Sequence, residues 1–352
     1  MSRTQRSGLL GVLICVMALA LAACGSSSSS STTSSSGGGG STSTTKKSSF
    51  KLGVVTDIGG LNDHGFNHLA YEGMLESEKQ LGVQGTVLPA TSSSDYVPDL
   101  ATLARDGDNL VVATGFDFDD ALGQVAKEFP KTHFALIDDY SSDVPGKPKN
   151  VEGLLFTSQQ AGYLVGYLAG LVSKAKGYST ISSVGGQNIP SVTAYIVGYQ
   201  AGAKASDPKI KLLNGFSDDF TDQSKCETIA QNQIQQGAKI VFQVAGGCGL
   251  GALQAAKQAG DYGIGVDADQ SFLGSYILTS AEKHVDKAVV EATRDMMNGK
   301  FFPQGNIIST LSNNGVGYGT LNSEGQKFAA QLKKVEQGII SGKIKTPKAQ
   351  AS

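Results

Sequence analysis

The chain has 352 residues, 29 of them basic and 31 acidic, for a net charge of −2 at pH 7. This mildly acidic balance, without a Lys/Arg block, argues against a nucleic-acid or polyphosphate partner. Forty-five glycines, nine prolines and no tryptophan suit an α/β protein with many tight strand-to-helix turns. His64, His68, His133 and His284 are scattered, and no Cys/His cluster has ligand spacing, so neither a metal nor a cofactor is expected.

In chain order, the first feature is an apolar run from Leu9 to Ala23, preceded by Arg3 and Arg6 and closed by Leu21-Ala22-Ala23-Cys24. It is too short for a membrane span and ends in a small-residue cleavage site. Residues 1–24 are therefore expected to be a lipoprotein signal, with Cys24 lipidated and the body tethered outside the cytoplasmic membrane. Removing the signal leaves 27 basic residues against 31 acidic ones. Residues 25–49 are almost wholly Ser, Thr and Gly and cannot bury a core, so they are expected to act as a tether reaching roughly 25–30 Å. About 300 residues remain, enough for two domains.

From Phe50 onward, short β-branched runs alternate with amphipathic stretches. The predicted strands are 51–56, 85–88, 110–113, 133–137 and 151–156, then a second series at 179–184, 211–214, 239–244, 263–266 and 276–279. Phe66, Leu69, Ala70, Gly73 and Met74 share one helix face, and longer helices are predicted over 161–173 and 323–339. Strand–helix alternation of this kind gives a mostly parallel sheet covered on both faces, and two series give two sheets. Residues 276–297 have room for one strand and one helix, and 306–320 reads as an extended passage.

Polar and glycine residues gather just after the predicted strands. Such clusters include Thr56 to Asn67, Gly115 to Phe118, Asp138 to Tyr140, Phe216 to Asp222, Gly246 to Gly249 and Asp267 to Gln270. In parallel α/β sheets ligands bind beyond the carboxyl ends of the strands, and two lobes facing each other make a cleft. Asp63 and Asp222 also fit as helix N-caps. No dinucleotide fingerprint, Walker motif, Gly-x-Ser-x-Gly or nucleophile–histidine pairing is present, so no enzyme activity is expected. Cys226 and Cys248 form an even pair in an exported protein, open to either a disulfide or two buried thiols.

Several segments in order resemble the basic membrane protein family of bacterial lipoproteins, the purine-nucleoside-binding components of ABC importers. They are Asp63-His64-Gly65-Phe66-Asn67 with Tyr71-Glu72-Gly73, Gly162-Tyr163-Leu164 with Gly166, Gly185 to Pro190, Gly246 to Gly251, Gly265 to Gln270, and Leu278-Thr279-Ser280 with Lys283. The resemblance implies a type I periplasmic-binding-protein-like α/β fold, two doubly wound parallel-sheet lobes joined by three hinge crossovers. Lobe 1 is expected over 50–156 and 280–305, and lobe 2 over 157–279 and 306–345.

It also implies a site. Phe66 and Phe220 would be aromatic plates for a base, although Phe66 also lies on an apolar helix face and Phe216 is a second candidate for Phe220. Asn67 and Asp138 would hydrogen-bond the ligand, and Asp267 with Lys283 would hold a ribose. Asp57 and Gly115 complete the cleft, and Gly246 would let backbone approach closely. The implied partners are a nucleoside, a permease with its ATPase, and the membrane through the lipid anchor, with the receptor itself a monomer. A receptor for another small solute such as a sugar, or a surface sensor without a transporter, are the alternatives. Two positions depart from the family pattern: Gln159-Gln160 stand where an acid is expected, and Cys248 sits inside the glycine loop.

Overall fold

The structure, a computed structural model, describes residues 48–348. The expected signal with Cys24, and the expected tether as far as residue 47, lie outside the described residues.

The first lobe begins with β1 (Lys51–Thr56), α1 (Phe66–Leu81), β2 (Gln84–Pro89), α2 (Tyr96–Arg105), β3 (Leu110–Thr114), α3 (Asp119–Glu128), β4 (His133–Ile137) and β5 (Val151–Phe156). The chain then passes into α4 (Ser158–Lys176), β6 (Thr180–Gly185), α5 (Pro190–Ser206), β7 (Lys211–Phe216), α6 (Gln223–Gln235), β8 (Ala238–Val244), α7 (Gly246–Ala259), β9 (Tyr262–Asp267) and β10 (Ile277–Lys283). It ends with α8 (Val285–Met297), β11 (Asn306–Ser309), β12 (Val316–Tyr318) and α9 (Ala329–Ile340).

Two six-stranded sheets result, ordered β11-β5-β4-β3-β1-β2 and β12-β10-β9-β8-β6-β7. The ten strands before α8 occupy equivalent places in the two sheets: β4 corresponds to β9, and β5 to β10. All pairings are parallel except β12, which runs antiparallel to β10.

The patterning explains the double winding. In β1, Leu52 and Val54 belong to the core beneath α1 and α8, whereas Val55 packs with residues of α2 and α3. Both faces are dry, so the strand reads as a continuous apolar run. In lobe 2 one face is packed by small residues, Ala230 of α6 with Ala252, Ala255 and Ala256 of α7. That close approach accommodates a disulfide between Cys226 and Cys248, with Cα atoms 5.6 Å apart. A closed loop of this size contributes about 3 kcal/mol.

Local signals set the helix ends. The Asp63 carboxylate accepts from the N–H groups of Gly65, Asn67 and His68, which caps the start of α1. Asp222 caps α6 by accepting from Ser224 N–H at 2.9 Å. Gly82 and Gly177 end α1 and α4 in left-handed conformation, where a side chain would be strained. The last predicted helix starts later than expected, because a 3-10 turn over Gly325–Phe328 precedes α9.

The chain crosses between lobes three times, but two of the expected divisions are corrected. Residues 280–283, expected in lobe 1, are the second half of β10 and belong to the second sheet, 280–282 pairing with β9 and Lys283 with Val316 of β12. Residues 306–309, expected in lobe 2, form β11 beside β5. The extended passage after 306 is thus two strands in two different sheets, which alternation alone does not distinguish. The crossings are bonded to one another. Thr157 N–H donates to the Ser309 carbonyl at 2.9 Å, and His284 N–H donates to the Gly315 carbonyl at 3.0 Å. Gln160 Oε1 accepts from Thr157 Oγ1 and from Leu311 N–H, both at 2.9 Å. A neutral amide at position 160 therefore ties the first crossing to the third.

Candidate ligand-binding cleft

Between the lobes lies a cavity of roughly 640 Å³, part of it open to solvent at the mouth. Asp57, Phe66, Asn67, Gly115 and Asp138 line it from lobe 1. Phe220, Gly246, Asp267 and Lys283 line it from lobe 2. The chain reaches the cavity at the carboxyl ends of β1, β3, β4, β9 and β10, and at the loops that follow β7 and β8.

Asp138 follows β4 and Asp267 closes β9, the equivalent strand of the other lobe. Both have left-handed backbone, with φ of 70° and 62°. Strain of this kind persists where surrounding contacts over-determine it. Here the over-determining group is Lys283, 2% exposed. Its ammonium donates to Asp138 Oδ2 at 2.5 Å and lies 3.8 Å from Asp267 Oδ1. It also sits over the rings of Phe66 at 4.7 Å, Phe156 at 5.5 Å and Tyr195 at 5.6 Å. The expected Asp267–Lys283 partnership is therefore the longer of two, and the short ion pair joins Lys283 to lobe 1. Burial acts to lower the lysine's pKa, but the charges of Asp138 and Asp267 outweigh it and hold the value above ordinary. Burial raises Asp267 to about 6 despite the lysine and the hydroxyl of Tyr195, which donates to its Oδ1 at 3.1 Å.

On the other side of the cavity, Asn67 Nδ2 donates to Asp57 Oδ1 at 2.6 Å. Burial pushes Asp57 up to about 8, with further upward pushes from Asp63, Asp117 and Asp138. Asp57 thus keeps a proton that the unfolded chain has released, so its contribution to stability falls as pH rises from about 4 to about 8. Asp57→Asn is therefore expected to gain stability relative to the parent as pH rises across that window. Urea unfolding at pH 5, 6.5 and 8 measures the gap, and a gap independent of pH removes this assignment. Two buried acceptors in the cavity, Asn67 Oδ1 and Asp138 Oδ1, have no hydrogen-bond partner among the described residues. Unpartnered buried acceptors cost about 1–3 kcal/mol each, so they favour a ligand carrying donors.

Each aromatic ring has a specific seat. Phe66 opens α1, packs partly against the core and still lines the cavity. Phe220 lies on the bare backbone of Gly186, where a Cβ would come within 2.2 Å of its ring. The Phe220 carbonyl accepts from Cys248 N–H at 2.9 Å, and the disulfide ties the same stretch of α7 to α6. Phe216 instead fills the space beside Gly185 and is not part of the lining. Gly246 has φ of 52° and lies against the Phe220 carbonyl, so it supports the ring's loop as well as lining the cavity. Among the lining residues to which the sequence analysis gave no site role are Ile189, Val192 and Tyr195. They recur every three residues from Ile189, which immediately precedes α5, and that periodicity after a glycine loop was the available signal.

Comparison with known proteins agrees with this geometry. Residues 50–350 match the family model described as Bmp, ABC transporter substrate-binding protein PnrA-like. The ABC transporter nucleoside-binding protein BmpA of Lactococcus lactis is 32% identical over 323 residues, covering 85% of this chain and 90% of the relative. Basic membrane protein A1 of Borrelia garinii is 33% identical over 262 residues, covering 74% of this chain and 76% of its own length. A crystal structure of an ABC transporter solute-binding protein from Aeropyrum pernix superposes with a TM-score of 0.75 at 26% identity, covering 86% of this chain and 94% of that one. The chain belongs to the PnrA-like family of ABC transporter substrate-binding proteins, non-catalytic extracytoplasmic receptors at the cell membrane that serve a permease and its ATPase.

Proposed function

We propose that the solute is a nucleoside, a purine nucleoside first among them, taken up between the lobes and handed to the permease. The observation that carries this reading is the pair of phenylalanines, Phe66 and Phe220, which reach one acid-lined cavity from opposite lobes. A flat base offers a π-face to each, worth about 1–3 kcal/mol per stacked ring by analogy with single-strand binders. The polar lining suits hydroxyl and amino donors: Asn67 Oδ1 and Asp138 Oδ1 have no hydrogen-bond partner among the described residues, and one oxygen of the Asp267 carboxylate accepts from Tyr195. The lining also favours a nucleoside over a nucleotide. Its one Lys or Arg, Lys283, is held by Asp138 and Asp267, and Asp57 and Asp63 add further acids. A phosphate entering would meet no free Lys or Arg there among the described residues. The name of the Lactococcus relative points the same way. Cys24 as the acylated residue and 25–49 as the tether belong to this reading.

Closure follows from differential affinity. A ligand touching both lobes shifts the open–closed balance only by what it gains from the second lobe. Thermal-shift titration should show stabilisation by inosine, guanosine or adenosine and none by ribose, arabinose or glucose. Stabilisation by the sugars alone would replace the nucleoside by a sugar. Asp267→Asn is expected to cost inosine about 1.5–3 kcal/mol of binding, the worth of hydrogen bonds to a charged group. It should cost 2′,3′-dideoxyinosine far less. Equal losses in calorimetry would remove Asp267 from the ribose.

A further inference from the structure

A relay of two glutamines joins the lobes without lining the cavity. Gln270 follows β9 and is 1% exposed, and Gln243 of β8 is fully buried. The polarity of the relay is fixed from one end. Ala245 N–H can only donate, and it donates to Gln243 Oε1 at 3.0 Å. Gln243 must then turn its Nε2 outward, where it donates to Gln270 Oε1 at 2.9 Å. Gln270 N–H is anchored on Ser280 Oγ at 2.9 Å. Its remaining group, Nε2, is left as a donor facing lobe 1 and meets the His64 carbonyl at 3.2 Å. Space for the relay comes from two glycines: a Cβ at Gly249 would lie 1.8 Å from Gln243 Oε1, and one at Gly265 would lie 2.6 Å from Gln270 Oε1.

The acceptor belongs to a loop that matters. His64 has left-handed backbone, with φ of 53°, and its ring centroid lies 5.2 Å from that of Phe272 in lobe 2. His64 is exposed and Phe272 is 60% exposed, so the contact sits at the rim of the cleft. Two and three residues on come Phe66 and Asn67, in a turn fixed by the Asp63 carboxylate, which accepts from the N–H groups of Gly65, Asn67 and His68. The relay therefore runs from the residue before Gly246 to the loop that carries Phe66. It bonds the two walls of the cavity to each other.

We propose that Gln270 is the closure latch of this receptor, a positioning residue that retains the solute by holding the Phe66 loop of lobe 1 against lobe 2. When the lobes part, both the Nε2 and the His64 carbonyl return to water, so the latch is worth one net hydrogen bond. It acts on release, not on capture, because it forms only as the cleft closes. It holds whatever solute fills the cavity.

The test is Gln270→Glu, which keeps an acceptor for Gln243 and turns an oxygen that cannot donate on the His64 carbonyl. With inosine as the probe, stopped-flow measurement should show dissociation about tenfold faster and association within about twofold of the parent. Spin labels at Glu128 and Gln258, exposed on α3 and α7, should report a smaller closed population in the ligand-free variant. An unchanged dissociation rate overturns the latch, as does a slower association that accounts for the whole loss of affinity. If the parent fails to bind inosine, the nucleoside reading falls; the latch then stands or falls on whether the label distance changes. Should Gln270→Glu fail to fold, Gln270→Asn, too short to reach His64, takes its place with the same expected outcomes.

Discussion

Lys283→Met is expected to cost the folded protein about 3–5 kcal/mol at pH 8 and to remove measurable nucleoside binding, because it strands buried carboxylates without a cation. Asp138 and Asp267 are 6% and 8% exposed, and both are held in left-handed backbone at the cleft. Methionine keeps an unbranched chain of similar length and places an apolar end where the ammonium faces the rings of Phe66, Phe156 and Tyr195, so the loss isolates the charge. The pH dependence identifies the cause. Without the ammonium, burial acts on Asp267 with less to oppose it and pushes its carboxyl further up in the folded state, while in the unfolded chain it ionises near its ordinary value. The folded variant then binds protons that the unfolded chain has released, and its stability falls as pH rises. Urea unfolding should show the variant recovering on going from pH 8 to pH 5 by more than the parent does. Adding Asp138→Asn should restore part of the loss at pH 8, since one stranded charge is gone. A variant less than about 1 kcal/mol destabilised would mean that the lysine is not what holds the two aspartates together.

This cluster also marks the limit of what the sequence made legible. The strands and the loops after them could be read because their signals are local: β-branched runs of five or six residues, then Asp, Asn and Gly. The expectation that residues as far apart as Asp57 and Lys283 share one cavity comes from the family resemblance, not from these local signals. Which of them bond to which was not legible. Lys283 and Asp138 are 145 positions apart and in different lobes, and nothing in periodicity distinguishes Asp138 from Asp267 as the nearer partner. The hinge boundaries failed for a related reason. β10 continues to Lys283 and β11 returns to lobe 1, so both divisions depend on strand pairing across the sheet, not on composition. Tyr195 was hidden differently. It sits within a largely buried, apolar helix, where an aromatic reads as core until its hydroxyl is seen on Asp267.

What positions Tyr195 is the contact between α4 and α5, and there a second large effect on the fold is expected. Gly162, Gly166 and Gly170 of α4 face α5, while Gly198 and Gly202 of α5 face α4. A Cβ at Gly166 would lie 2.0 Å from the Tyr199 carbonyl oxygen and 2.6 Å from its carbon; one at Gly202 would lie 2.0 Å from the Tyr163 oxygen. These neighbours are backbone and cannot rotate away, so the helices must separate along their length. Overpacking of this sort costs typically about 1–3 kcal/mol, and Gly166→Leu should meet or exceed the upper figure. Gly317→Ala, whose new methyl would find its nearest neighbour at 3.9 Å, is the control and should be near neutral. The milder Gly166→Ala is the more informative variant. If it folds, α5 is displaced and carries Tyr195 off Asp267, so nucleoside affinity should fall even where the protein is fully folded. Denaturant unfolding and calorimetry together separate the two effects. Full stability in Gly166→Ala would show that the two helices can part without cost, and that the glycines are not what fixes the tyrosine.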